Sequence, residues 1–215
     1  VFHTLYNYCS VDLSSLYLDI LKDRLYCEKK DGLKRRSAQT ALHFILSSLV
    51  RLMAPILSFT AEEVWQEFNR AQSKTGSVHL TSFPETFSSA SLSGSDTEMW
   101  DTAVSLRQEV SKALEEARTA KMIGSSLEAR VHISAKAEIV DSVKGIEDAE
   151  GFFIISQLDL SVIPDDQPSE IKVFKADGAK CPRCWMWSTE IGKNDLQPDV
   201  CPRCASVLVE SNPGA

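Results

Sequence analysis

Apolar side chains recur every three to four positions from the start of the chain. Phe2, Leu5, Tyr6 and Cys9 share one helical face, and from Asp12 a second stripe runs through Leu13, Leu16, Tyr17, Ile20, Leu21 and Leu25. Asp31-Gly32 reads as a stop. Ala38, Ala41, Leu42, Ile45, Leu46, Leu49 and Met53 predict a second long helix, which Pro55 ends because proline lacks an amide donor and disfavours helix just before itself. In SFTAEEVW, Thr60 is placed to cap a third helix, with Glu63 reaching back to the cap amide and Phe59 and Val64 forming a hydrophobic staple. That helix runs to about Phe68. Short connections between these helices predict an antiparallel bundle over residues 1–72.

Residues 86–97, TFSSASLSGSDT, have little to bury and read as loop, so 73–97 is expected to be a linker. Trp100, Ala103, Val110, Leu114 and Ala117 predict another helix, with Arg107, Glu109, Lys112, Glu115, Glu116 and Arg118 facing water. The segments ARVHIS, GFFIIS, LDLSVI and EIKVFKA then read as short strands, with a charged helix between the first two. The expected fold is mainly α: a helix bundle, a small α+β module over 98–176, and a cysteine-rich tail over 177–210.

Composition narrows the partners. The net charge of −7 argues against simple electrostatic binding of nucleic acid. Its distribution matters more: residues 1–72 carry nine basic and eight acidic side chains, residues 73–175 ten and seventeen, so the acidity belongs to the middle. No window approaches the roughly 18 consecutive apolar residues of a membrane span. Val1-Phe2-His3 is neither an initiator methionine nor a signal sequence, so the chain reads as a piece of a longer protein that is not secreted.

Of six cysteines, Cys9 and Cys27 fall within apolar helical patterns and read as small hydrophobes. The other four sit in two Cys-Pro-Arg-Cys knuckles, in which two-residue spacing turns both thiolates toward one metal. Cys181, Cys184, Cys201 and Cys204 therefore predict one closed, structural zinc site and a reducing compartment. Rubredoxin-like iron is a weaker reading, since Trp185 and Ala205 stand where such knuckles carry glycine. A redox CxxC is disfavoured by the duplication, and haem attachment lacks its histidine. Trp187 is expected to pack. For Trp185 two readings stay open: packing over the knuckle, or stacking on an unpaired RNA base beside Lys180 and Arg183.

Four stretches in order, DLSSLYLDILKDRLYCEKKDGLKRRSAQTAL, RLMAPILSFTAEEVW, KMIGSSLEARV and KCPRCW…CPRC, resemble the C-terminal portion of bacterial-type isoleucyl-tRNA synthetases. The resemblance implies an anticodon-binding helical domain and a zinc module that holds the anticodon stem-loop of isoleucine tRNA. It also implies a parent class I enzyme using ATP and Mg²⁺, with catalytic and editing domains on other residues, acting as a monomer in bacterial cytoplasm or an organelle. The catalytic signature motifs are absent here, so no catalytic residue is expected. Lys29, Lys30, Lys34, Arg35 and Arg36, between the first two long helices, are candidate phosphate contacts, and Lys180, Arg183 and Trp185 complete the candidate RNA-binding residues. Two other readings stand beside this one: a free-standing RNA-binding or scaffold module, and a zinc-finger DNA-binding region as in formamidopyrimidine-type DNA glycosylases.

Overall fold

The computed structural model describes residues 1–70, 76–86 and 91–211, which form two units. The first comprises Val1–Leu25 and Lys30–Ser91; the second comprises Tyr26–Lys29 and Leu92 onward.

In the first unit, α1 (Phe2–Asn7) and α2 (Asp19–Cys27) are one unbroken helical path, joined by π-helical turns over Tyr8–Leu18. Here the Ser15 hydroxyl donates to the Ser10 carbonyl five residues back at 2.8 Å. The two apolar stripes, Phe2 to Cys9 and Leu13 to Leu25, therefore lie on one continuous path. Helix α3 (Leu33–Met53) starts from extended Gly32 and buries Ala38, Leu49 and Val50.

Helix α4 (Ser58–Arg70) begins before the expected cap. The Leu57 carbonyl already accepts the Ala61 amide at 2.8 Å, so Thr60 lies inside the helix, and Phe59, at 93% exposure, staples nothing. The carboxylate that acts is Glu62, which accepts the Ser77 hydroxyl at 2.7 Å and the Val78 amide at 2.9 Å. These bonds seat Val78 in a core with Val50, Ala54 and Ala61.

In the second unit, α5 (Gly94–Thr119) starts inside the stretch expected to be linker. Ser93 accepts the Asp96 amide and donates to its carboxylate, a cap strong enough to begin the helix in Ser-rich sequence. Residues 71–75 and 87–90, also in or beside that stretch, lie outside the described residues. The buried face of α5 is Ala103, Leu106, Arg107, Val110, Leu114 and Ala117. Arg107 thus corrects the expectation that it faces water: it is 8% exposed, donates to the Phe152 carbonyl and lies 5.6 Å over that ring.

Strand β1 (Ala129–Ala135) is central, parallel to β2 (Gln157–Val162) and antiparallel to β3 (Glu170–Lys175). Ala129, Val131, Ile133 and Ala135 alternate inward from it and are fully buried. Helices α6 (Ala137–Lys144) and α7 (Ala149–Phe153) make the crossover that parallel pairing requires. GFFIIS is therefore not a strand. Asp148 caps α7 through the Gly151 amide, Phe152 and Phe153 are both buried, and Ile154 ends the helix at φ 57°. Successive residues of a strand point to opposite faces, whereas a helix at this position buries both rings. Among the described residues no helix is long and apolar enough to cross a membrane.

Candidate functional site

The cysteine-rich tail is built on the sheet. Ser156, just before β2, accepts the Trp187 amide at 2.7 Å, and Gln157 and Asp177 exchange two 3.0 Å bonds. Strand β4 (Ala179–Lys180) pairs with β5 (Trp187–Ser188), and Gly178 at φ 92° lies so close to Ser188 that a Cβ would stand 2.3 Å from its carbonyl oxygen. Only glycine admits that approach.

The first knuckle closes when the Trp185 amide donates to the Cys181 carbonyl at 2.9 Å. The second knuckle opens α8 (Pro202–Ser211), with the Ala205 amide donating to the Cys201 carbonyl at 2.9 Å and proline at the helix's first position. The two knuckles are thus unlike. The second continues into helix and needs no glycine, while the first turns left-handed at Trp185, φ 67°.

The four cysteine sulfurs lie within 4.8 Å of one another, all buried, and those of Cys184 and Cys201 stand 3.7 Å apart. Four thiolates about 2.3 Å from a tetrahedral zinc would be separated by about 3.8 Å, so the donor set fits such an ion and leaves no open position. Val200 and Ala205 are buried with them, and Cys27, Met186, Ile191 and Leu208 pack around the cluster. Electrostatics point the same way. A hydrogen bond from Cys204 draws the Cys184 thiol down to about 4, while the same bond pushes Cys204 far up and burial raises Cys201. The cluster by itself favours one thiolate and resists the next; a divalent cation removes that resistance.

Trp185 is 61% exposed, with the Lys180 ammonium 5.4 Å from its ring centroid. Trp187 is half-buried, its indole nitrogen enclosed and the Lys175 ammonium 5.3 Å from its ring. Arg183, expected beside Trp185 as an RNA contact, points elsewhere: its Nη1 donates to the Cys27 carbonyl at 2.6 Å and contacts the Cys204 sulfur at 3.5 Å. The basic stretch divides between the units. Lys29 groups with the second; Lys30 and Arg36, both exposed, belong to the first with half-buried Lys34 and Arg35. Sequence reasoning passed over Lys175, Ser156 and the placement of Cys27. No local pattern marks them, because their roles come from strand pairing and from chain more than a hundred residues away.

Residues 1–133 match the family model described as the anticodon-binding domain of tRNA ligase. The chain belongs to that family. Within this tRNA-ligase anticodon-binding family, the match runs past the four helices through α5 and into β1. A second model, the zinc finger found in FPG and IleRS, matches residues 178–207 and so spans all four clustered cysteines. Curated relatives include the isoleucine–tRNA ligases of Caldicellulosiruptor bescii, 45% identical over 97% of this chain, and Carboxydothermus hydrogenoformans, 47% identical over 98%. That of Syntrophotalea carbinolica is 42% identical over 98%. The chain spans 23% of the length of each of these ligases.

Proposed function

We propose that this chain is the tRNA-binding part of an isoleucine–tRNA ligase, holding the anticodon stem-loop of isoleucine tRNA while other parts of the enzyme join isoleucine to it with ATP and Mg²⁺. The observation that carries the RNA-binding role is the state of Trp185. A non-glycine residue in the left-handed region costs roughly 1–2 kcal/mol, and an indole 61% exposed gains little packing in return. Strain of that kind persists where a side chain is needed. An exposed indole with a cation over its ring offers a base-stacking platform, and Lys180 supplies charge for the neighbouring phosphate.

In this reading Cys181, Cys184, Cys201 and Cys204 hold one structural Zn²⁺, which folds the tail and fixes the turn that presents Trp185. Lys29, Lys30, Lys34, Arg35 and Arg36 contact phosphates without reading sequence. Arg183 acts through the fold and not on RNA. The enzyme works as a monomer in a reducing compartment, where these four cysteines stay reduced and able to bind metal.

Titrating the 215-residue chain with isoleucine tRNA, and with the same tRNA altered only in its anticodon, tests the proposal. Tighter binding of the unaltered tRNA, weakened by added salt, is expected. Equal affinity for the two would reject an anticodon-loop contact.

A further inference from the structure

The second unit contains one segment from far back in the sequence, Tyr26–Lys29, at the end of α2. Its link to the tail is reciprocal. Arg183 Nη1 donates to the Cys27 carbonyl at 2.6 Å, and the Cys27 thiol lies 3.7 Å from the Arg183 carbonyl as its donor. The same Nη1 reaches the Cys204 sulfur at 3.5 Å, and Cys27 packs against the four-cysteine cluster. One guanidinium therefore touches both a metal-ligand sulfur and a carbonyl at the end of a helix. Such carbonyls lack an intrahelical partner, and a cation there also meets the negative end of the helix dipole.

We propose that Arg183 is a positioning residue that couples the four-cysteine metal site to Tyr26–Lys29, so that metal occupancy sets whether this segment is held in place. Arg183 lies between two ligands in the knuckle, Cys181 and Cys184, so the metal fixes the backbone from which its side chain projects. Without the metal the knuckle loses its tether, the guanidinium loses its sulfur partner, and the Cys27 carbonyl returns to water. The segment carries Lys29 and leads into Lys30, so presentation of these lysines to a polyanion becomes metal-dependent. The coupling rests on the zinc reading above; the contact between Arg183 and Cys27 does not.

Amide hydrogen exchange followed by mass spectrometry on the 215-residue chain, with metal content measured in parallel, tests the coupling. Arg183→Met is expected to keep the metal yet speed exchange in Tyr26–Lys29 roughly tenfold, the loss of about one charge-assisted hydrogen bond, with α5 unchanged. Arg183→Lys, which keeps the charge but not the fork, is expected to fall between. Chelating the metal from the native chain, or Cys201→Ser, is expected to produce the same local acceleration. Unchanged exchange at Tyr26–Lys29 in a metal-bearing Arg183 variant, or after chelation, overturns the proposal. So does acceleration spread equally through α5, or weakened RNA binding without any change at Tyr26–Lys29. A native chain without metal sinks the zinc reading, and the Arg183 variants then report on the Cys27 contact alone.

Discussion

Trp185 carries the Lys180 ammonium 5.4 Å from its ring centroid while its own backbone sits at φ 67°, in the conformation that a knuckle ordinarily gives to glycine. Stability and binding should therefore separate at this position. Trp185→Gly is expected to leave the fold as stable or to stabilise it by about 1 kcal/mol, since glycine adopts that backbone freely. The same change is expected to weaken tRNA binding by roughly 1–3 kcal/mol, the range for one base stacked on an aromatic ring. Thermal unfolding and tRNA titration on one preparation check both. A less stable variant with unchanged affinity would assign the indole to packing.

Four buried sulfurs within 4.8 Å of one another form a donor set that one zinc ion would complete. The chain is expected to contain about one zinc per molecule, and Cys201→Ser to lose it together with amide protection over residues 180–205. Elemental analysis and hydrogen exchange measure the two effects. Iron in place of zinc, or a protected tail in the metal-free variant, would sink the assignment.

The buried Arg107 predicts a stability effect. Arg107→Ala removes the donor to the Phe152 carbonyl and leaves a void under α5, at an expected cost of about 2–4 kcal/mol. Arg107→Met fills the space and should cost less. Urea unfolding ranks the two, and equal costs would mean that the hydrogen bond matters more than the volume.

Glu62 adds a pH dependence in the first unit. The Ser77 hydroxyl, then the Gln66 amide, favour its ionised form and hold its carboxyl below the usual range. A group with a depressed folded-state value stabilises the fold above its unfolded value and loses that contribution as pH falls through the folded one. Glu62→Gln should therefore destabilise the chain near neutrality, with the gap from native closing in acid. The chemical shift of the Val78 amide proton, which donates to Glu62 at 2.9 Å, should follow a carboxylate that titrates below the ordinary glutamate range. A Val78 shift following an unperturbed carboxylate would contradict the contact.

The legible parts of the sequence were those whose cause is local. Helical periodicity placed α2, α3 and α5 because amphipathic spacing needs only the chain's own geometry, and knuckle spacing named four cysteines because two thiolates on one turn face one point. Where neighbours decide, sequence reading slipped. The α5 pattern puts Arg107 in water, whereas it is buried over the Phe152 ring and donates to that residue's carbonyl. GFFIIS reads as a strand until the sheet needs two adjacent phenylalanines on the same side. Thr60 is a fitting cap for a helix that had already started, because the turn after Pro55 supplies the Leu57 carbonyl instead.

For this protein the sequence by itself determined the helical class of the first unit, the four cysteines that cluster and the family likeness, since each depends on residue type and spacing. Only the tertiary structure decided that Trp185 faces solvent in a strained turn while Trp187 packs, and that Arg183 reaches back 156 residues to Cys27. Both outcomes depend on which surfaces the tail meets, the sheet at Ser156 and the end of α2 at Cys27. Spacing along a chain carries no record of that meeting, because burial and hydrogen-bond partners are set by contacts between segments distant in sequence.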